Sequence, residues 1–217
     1  MRADESGFAM WWRWHLYRRW KNDPGRKSMY DFRRYLLAAP AGALAIDCGA
    51  NVGDITAAMV KVGLRVIAFE PDAGCLAELH RRFEHEPRVT IIPRAVGASD
   101  RRAAFYHKIA QGKPVSDASS FVLMKHHRPE PVGEIEVIDL LAFLSALSEP
   151  VYLLKMDIEG AEAEVLEAFL DRGTHRSVGR IFVETHEWLD EGLATRLETI
   201  RRRMTGPDFA NIDLEWG

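Results

Sequence analysis

The chain has 217 residues, which fits one domain able to bury a core of its own. Hydrophobic residues at 47%, charged residues at 28% and a net charge of −3 are ordinary for a globular protein, and nothing global calls for nucleic acid or an acidic substrate. Two cysteines, Cys48 and Cys75, give no disulfide framework and fit a reducing compartment. No run approaches the ~20 apolar residues of a membrane span, and no apolar segment with a cleavage site opens the chain. A cytoplasmic location is therefore expected.

The charge is uneven along the chain. Residues 11–35 carry eight Lys/Arg against two Asp, a local +6; residues 1–10 carry −1, which leaves −8 for residues 36–217. Residues 11–20 (WWRWHLYRRW) interleave aromatics with Arg. On a helix Trp11, Trp14 and Arg18 share one face, suited to peripheral contact with an anionic membrane or to packing on the domain. Packing is favoured, because Trp is more often buried than idle. Asp23-Pro24-Gly25 predicts a turn and residues 28–37 a short helix. Residues 1–40 thus read as an aromatic, basic helical extension, and residues 41–217 as the main domain.

From residue 43 onward short apolar runs alternate with segments of helical period. The runs are 44–46, 66–69, 89–92, 151–156 and 181–183; the helical segments are 53–62, 73–84, 140–147, 161–171 and 191–204. Continuous apolar runs suit strands covered on both faces, and the alternation predicts a doubly wound, mostly parallel α/β sheet with right-handed crossovers. Two more strands are expected at 103–108 and 134–138. Between them residues 111–120 read as a polar loop, whose Ser119 and Ser120 make it a candidate acceptor-binding lid. His126-His127 reads as solvated.

In such a sheet ligands bind beyond the carboxyl ends of the strands, where the strand order reverses. After the first run comes Asp47-Cys48-Gly49-Ala50-Asn51-Val52-Gly53. Its glycines allow close backbone approach, and Gly53 opens a helix. After the second run comes Glu70-Pro71, placed to accept hydrogen bonds from ribose hydroxyls. Together these predict a nucleoside-bearing cofactor. The glycine spacing fails the G-x-G-x-x-G dinucleotide pattern, and Asp47 would repel a pyrophosphate. A tight strand-to-helix turn alone would explain the glycines, but not Asp47 and Glu70 at matching strand ends.

After the fourth run come Lys155, Asp157, Glu159 and Glu162. Four ionisable groups at the mouth of a buried strand are costly unless they bind something. Helix-dipole capping accounts for Glu162, and poorly for Lys155 and Asp157. After the fifth run comes Glu184-Thr185-His186, a candidate general base or metal pair.

These motifs resemble the FkbM family of methyltransferases: D-x-G-A-N-V-G at 47–53, A-F-E-P at 68–71, R-A-V-G at 94–97, the pair Ser119-Ser120, L-L-K-M-D-I-E-G-A-E at 153–162 and E-T-H at 184–186. The resemblance covers residues 43 to 190 in order. It implies a class I, Rossmann-like methyltransferase fold binding S-adenosylmethionine. The turn with Asp47, Gly49, Ala50, Asn51 and Gly53 would hold the methionine part, Glu70 and Pro71 the ribose, and Ala95 and Val96 the adenine, with Asp157 also near the cofactor. It implies O-methylation, often of sugars in polysaccharides, glycolipids or secondary metabolites. The antiparallel hairpin usual at the end of the fold looks shortened or missing after 211–216.

Methyl transfer from a sulfonium needs alignment and exclusion of water, and a hydroxyl acceptor gains from a base or a metal. His186 is the expected base, oriented by Glu184 or Asp157, with Lys155 next in line to orient the acceptor and Glu159 on the acceptor side. The alternative is a Mg2+ or Ca2+ ion on Asp157, Glu159 and Glu184. A small-molecule or glycan acceptor is expected, and no nucleic acid. The rival classes are an NAD-dependent Rossmann oxidoreductase and a non-catalytic nucleoside-binding module.

Overall fold

The apolar runs become strands because helices cover them on both faces. A computed structural model of the chain describes residues 25–110, 113–120 and 133–216. In order the elements are α1 (Gly25–Leu37), β1 (Leu44–Cys48), α2 (Asp54–Lys61), β2 (Arg65–Phe69), α3 (Ala73–Phe83), β3 (Val89–Ile92), β4 (Ala95–Gly97), β5 (Arg101–Ala110), β6 (Lys113–Ser120), β7 (Gly133–Asp139), α4 (Leu140–Ala146), β8 (Val151–Met156), α5 (Glu162–Arg172), β9 (Val178–Val183), α6 (Glu191–Arg203) and β10 (Ile212–Asp213). The main sheet has six strands in the order β10-β9-β8-β1-β2-β3, and every pairing in it is parallel. This is the expected doubly wound α/β architecture.

Side-chain alternation along β1 separates two cores. Leu44, Ile46 and Cys48 face a large cluster with Leu154 and Met156 of β8, Leu166 and Phe169 of α5, and Leu197 and Ile200 of α6. Ala45 faces the other way, into a cluster with Leu153, Phe182, Ile55 and Met59, where Phe32 and Leu36 of α1 and Trp216 are also buried. The described end of the N-terminal extension is therefore part of the domain core. Residues 11–20, with their aromatic-basic pattern, lie outside the described residues, as does His126-His127. Among the described residues no helix is long and apolar enough to cross a membrane.

Three strands depart from expectation. β4 and β7 pair in parallel, and β7, β5 and β6 continue a second, four-stranded sheet by antiparallel pairing. Residues 113–120 were expected as loop, but their backbone forms β6, with Ser120 opposite Tyr106. Polar composition mimics a loop where one edge of a hairpin needs only backbone hydrogen bonds. β10 is two residues long and parallel to β9, so the described chain end adds a short parallel edge.

The strand order reverses between β1 and β8, where Asp47 lies directly opposite Lys155. This is the crevice that an open α/β sheet offers to a ligand.

Candidate functional site

β1 leads into a turn in which Gly49, Asn51 and Gly53 have φ of 75°, 50° and 88°. The turn is pressed against its surroundings: a Cβ on Gly49 would lie 1.8 Å from the carbonyl oxygen of Asp157, and one on Gly53 2.6 Å from the Phe83 ring. Ala50 backs the turn, buried against Ala68 and Leu79. Asn51 takes the left-handed conformation its short polar side chain tolerates, and its Oδ1 accepts from the Val52 N–H at 2.7 Å.

Glu70, at the end of β2, ties this turn to the next. Its Oε2 accepts from the Asn51 N–H and its Oε1 from the Asp72 N–H, both at 2.8 Å. Pro71 stands between the two anchors, and Asp72 caps α3 by accepting from the Gly74 and Cys75 N–H groups. Burial pushes the Glu70 carboxyl up to about 7, against the pull of the two backbone donors. Each oxygen retains a lone pair for a further donor.

Asp47 and Lys155 form a buried pair rather than two ligand-facing groups. The Asp47 side chain, expected to meet the cofactor, is fully buried. Its Oδ2 accepts from the Thr56 hydroxyl at 2.7 Å, and its Oδ1 lies 3.4 Å from Lys155 Nζ. Burial raises the Asp47 carboxyl; Lys155 and Thr56 oppose that. Lys155 is just as enclosed, so it is not placed to orient an acceptor. Its Nζ donates to the Gly49 carbonyl at 2.8 Å, lies 3.5 Å from Asp157 Oδ2 and sits 5.6 Å above the Trp216 ring. Burial alone would lower the ammonium, but the carboxylates of Asp47, Asp157 and Glu184 drive it upward overall. The pair holds the carbonyl side of the glycine turn in place.

The end of β8 carries the second group of charges. Glu159 has a φ of 53° and Gly160 one of 103°, so the chain folds back before α5. Glu162 locks this turn: its Oε1 accepts from the Ile158 N–H at 2.9 Å and its Oε2 from the Gly160 N–H at 2.8 Å. The same Oε1 lies 2.8 Å from His186 Nδ1. His186 Nε2 lies 3.6 Å from both Asp157 Oδ1 and Glu159 Oε2.

His186 was expected to act as a base oriented by Glu184 or Asp157. Glu162, not Glu184 or Asp157, orients the ring, and the ring is buried among carboxylates. Burial would lower its pKa, but Glu162, Asp157 and Glu159 outweigh that and push it up to about 9. Burial, with Asp157, Glu162 and Glu184 adding to it and His186 opposing, raises Glu159 to about 7. Glu184 is half-buried at the end of β9, its backbone N–H on the Met156 carbonyl at 2.9 Å. The expected metal set of Asp157, Glu159 and Glu184 changes too. Among the described residues, those that bring ligand atoms within 4.8 Å of one another are Asp157, Glu162 and His186. Glu162 was hidden by its position in a first helical turn, where acids are ordinary; its reach back to Gly160 is the signal that could have exposed it.

Ala95 and Val96 are buried in β4, Val96 within the cluster of Cys48, Phe69 and Met156. The side chains of Ser119 and Ser120 lie outside what is described. Trp188, 66% exposed, stands next to the charged group, its ring 6.0 Å from that of His186.

The family profile described as "Methyltransferase FkbM domain" matches residues 47–215. No curated protein gives a significant match. Among solved structures, a protein described as an rRNA methylase from Clostridium thermocellum is similar, with 9% identity, 84% of this chain and 81% of that chain covered and a TM-score of 0.46. A protein described as a methyltransferase from Streptococcus mutans, in complex with SAH, has 10% identity, 85% of each chain covered and a TM-score of 0.48. A TehB-like SAM-dependent methyltransferase from Corynebacterium glutamicum has 17% identity, 90% and 80% coverage and a TM-score of 0.40.

Proposed function

The chain belongs to the FkbM methyltransferase family, and from that premise we propose that it transfers the methyl group of S-adenosylmethionine to an oxygen of a sugar or other hydroxylated small molecule. The observation that carries this reading is Glu70. A carboxylate kept in a buried place that raises it to about 7 is costly to the fold, and such sites usually serve a ligand. Glu70 is pinned by two backbone donors at the tip of β2, with lone pairs left for the two hydroxyls of a ribose. The glycine turn of β1 beside it offers close backbone approach for the amino-acid part of the donor.

In the reaction an acceptor oxygen attacks the methyl carbon in line with the carbon–sulfur bond. That bond breaks, its electron pair stays on sulfur, and a neutral thioether leaves. The hydroxyl proton passes to a carboxylate oxygen of Asp157, Glu159 or Glu184, the acids at the ends of β8 and β9. The sulfonium is already activated, so the protein's part is alignment and exclusion of water. Exposed Trp188 beside His186 supports a ring-shaped acceptor, whose apolar face can lie on the indole.

Thermal-shift measurements with S-adenosylmethionine and with NAD test the cofactor reading, because a ligand of the native state raises the melting temperature by mass action. S-adenosylmethionine should stabilise the protein and NAD should not. Stabilisation by NAD alone would favour the oxidoreductase class instead. With the donor bound, transfer of a labelled methyl group to glycan extracts tests the acceptor class.

A further inference from the structure

We propose that the outer face of α1 is a docking surface for an anionic lipid membrane. The helix has two faces of opposite chemistry. Its inner face, with Ser28, Phe32 and Leu36, is buried in the domain. Its outer face runs through Lys27, Tyr30, Arg34 and Leu37 at steps of three and four residues, so the four form one stripe, with exposed Arg33 beside it. Tyr30 is 62% exposed and Leu37 69%.

Charge distinguishes this face from the rest of the surface. Every arginine described beyond α1 is held in an ion pair, from Arg65 with Glu149 to Arg203 with Asp171. Among the described residues Lys27, Arg33 and Arg34 form no ion pair; the Arg34 guanidinium lies 5.9 Å over the Tyr30 ring. Within α1 the acid is Asp31 alone. Residues 11–35 sum to +6 and residues 36–217 to −8. An anionic surface therefore attracts the chain through this face and repels the rest of it, which fixes the orientation of approach.

The apolar members of the stripe decide which polyanion fits. Cations alone would suit any phosphate-rich partner, nucleic acid included. A tyrosine and a leucine interleaved with them match the boundary between headgroups and acyl chains, where Lys and Arg meet phosphates and the ring and aliphatic chain leave water. Nucleic acid would leave Leu37 in solvent. The face also stands close to the site. Phe32, on the inner side of α1, packs 5.5 Å from the Trp216 ring, and Trp216 in turn lies 5.6 Å from the Lys155 ammonium that holds the Gly49 carbonyl. A chain resting on α1 thus keeps its crevice next to the headgroup layer, within reach of hydroxylated headgroups. That use rests on the methyl-transfer reading above; the lipid contact itself does not.

The test sediments the full chain with vesicles of phosphatidylcholine alone and of phosphatidylcholine mixed equally with phosphatidylglycerol. The wild type should sediment with the mixed vesicles, be released as salt is raised, and stay in solution with phosphatidylcholine alone. Arg33→Gln/Arg34→Gln should weaken partitioning about 20-fold, because each cation near an anionic surface contributes roughly five-fold. Tyr30→Ala/Leu37→Ala should weaken it about ten-fold. All four positions are exposed, so melting temperatures and the S-adenosylhomocysteine thermal shift of both variants should match the wild type. No sedimentation of the wild type with mixed vesicles overturns the proposal. Equal sedimentation of the wild type and either variant overturns it too, as does retention on mixed-sequence single-stranded RNA in place of vesicles. Loss of the S-adenosylhomocysteine shift in the wild type overturns the donor reading instead, so the two failures are distinguishable.

Discussion

Replacing Glu70 with Gln separates what the carboxylate does for the ligand from what it does to the fold. The side chain keeps its shape but cannot ionise. In the wild type the folded carboxyl is raised from 4.5 to about 7, chiefly by burial. An acid whose folded pKa is raised adds stability that is fully present below 4.5 and is lost as pH climbs through 7. The full loss is about 3 kcal/mol at 1.36 kcal/mol per unit. Gln resembles the protonated form except that its NH2 cannot accept one of the two backbone N–H bonds, so the variant should be about 1–3 kcal/mol less stable than the wild type near pH 4.5 and should gain about 3 kcal/mol relative to it by pH 8. For a chain of this size that relative gain amounts to about 6–12 °C in the melting-temperature difference between variant and wild type. Donor binding should move the opposite way. Loss of hydrogen bonds to a charged acceptor costs about 1.5–3 kcal/mol, or one to two orders of magnitude in Kd. Differential scanning fluorimetry at pH 5 and pH 8, with S-adenosylhomocysteine titrated at pH 8, reads both effects. A variant that binds the ligand as tightly as the wild type refutes the ribose role; a melting difference that does not change with pH refutes the charge argument.

Gly53→Ala should cost about 2–4 kcal/mol in urea unfolding, since its φ is 88° and the new Cβ would press within 2.6 Å of Phe83. Lys155→Met strands the fully buried Asp47 carboxylate and should cost about 3–5 kcal/mol, largely restored when Asp47→Asn is added; an unrestored double variant would show that the charge pair is not the cause. Cys48 and Cys75 are buried thiols, and burial pushes the Cys48 thiol upward, so neither should react with a thiol reagent in native buffer until urea unfolds the chain.

The sheet was legible in the sequence because its central strands are buried on both faces and hence continuously apolar, as 151–156 illustrates. Edge elements were not. β6 carries Pro114 and four Ser or Asp residues, which read as a loop, and β4 and β10 are too short to hold a period. At the site, position along the strands was readable but direction was not. Asp47 falls at a strand tip, yet alternation turns its side chain beneath the turn toward Thr56 and Lys155. Glu162 and His186 are 24 residues apart in the chain, and their 2.8 Å contact exists only once β9 is laid beside β8. Which residues share a burial was fixed by tertiary packing, and that packing sets the His186 ring against Glu162.

The central claim is that the crevice between β1 and β8 holds an adenosyl sulfur compound against the glycine turn and Glu70. Isothermal titration calorimetry with S-adenosylhomocysteine tests it most directly. The account predicts heat with one site per chain and a weaker isotherm for Glu70→Gln. An isotherm indistinguishable from buffer dilution, with folded wild-type protein, would contradict it.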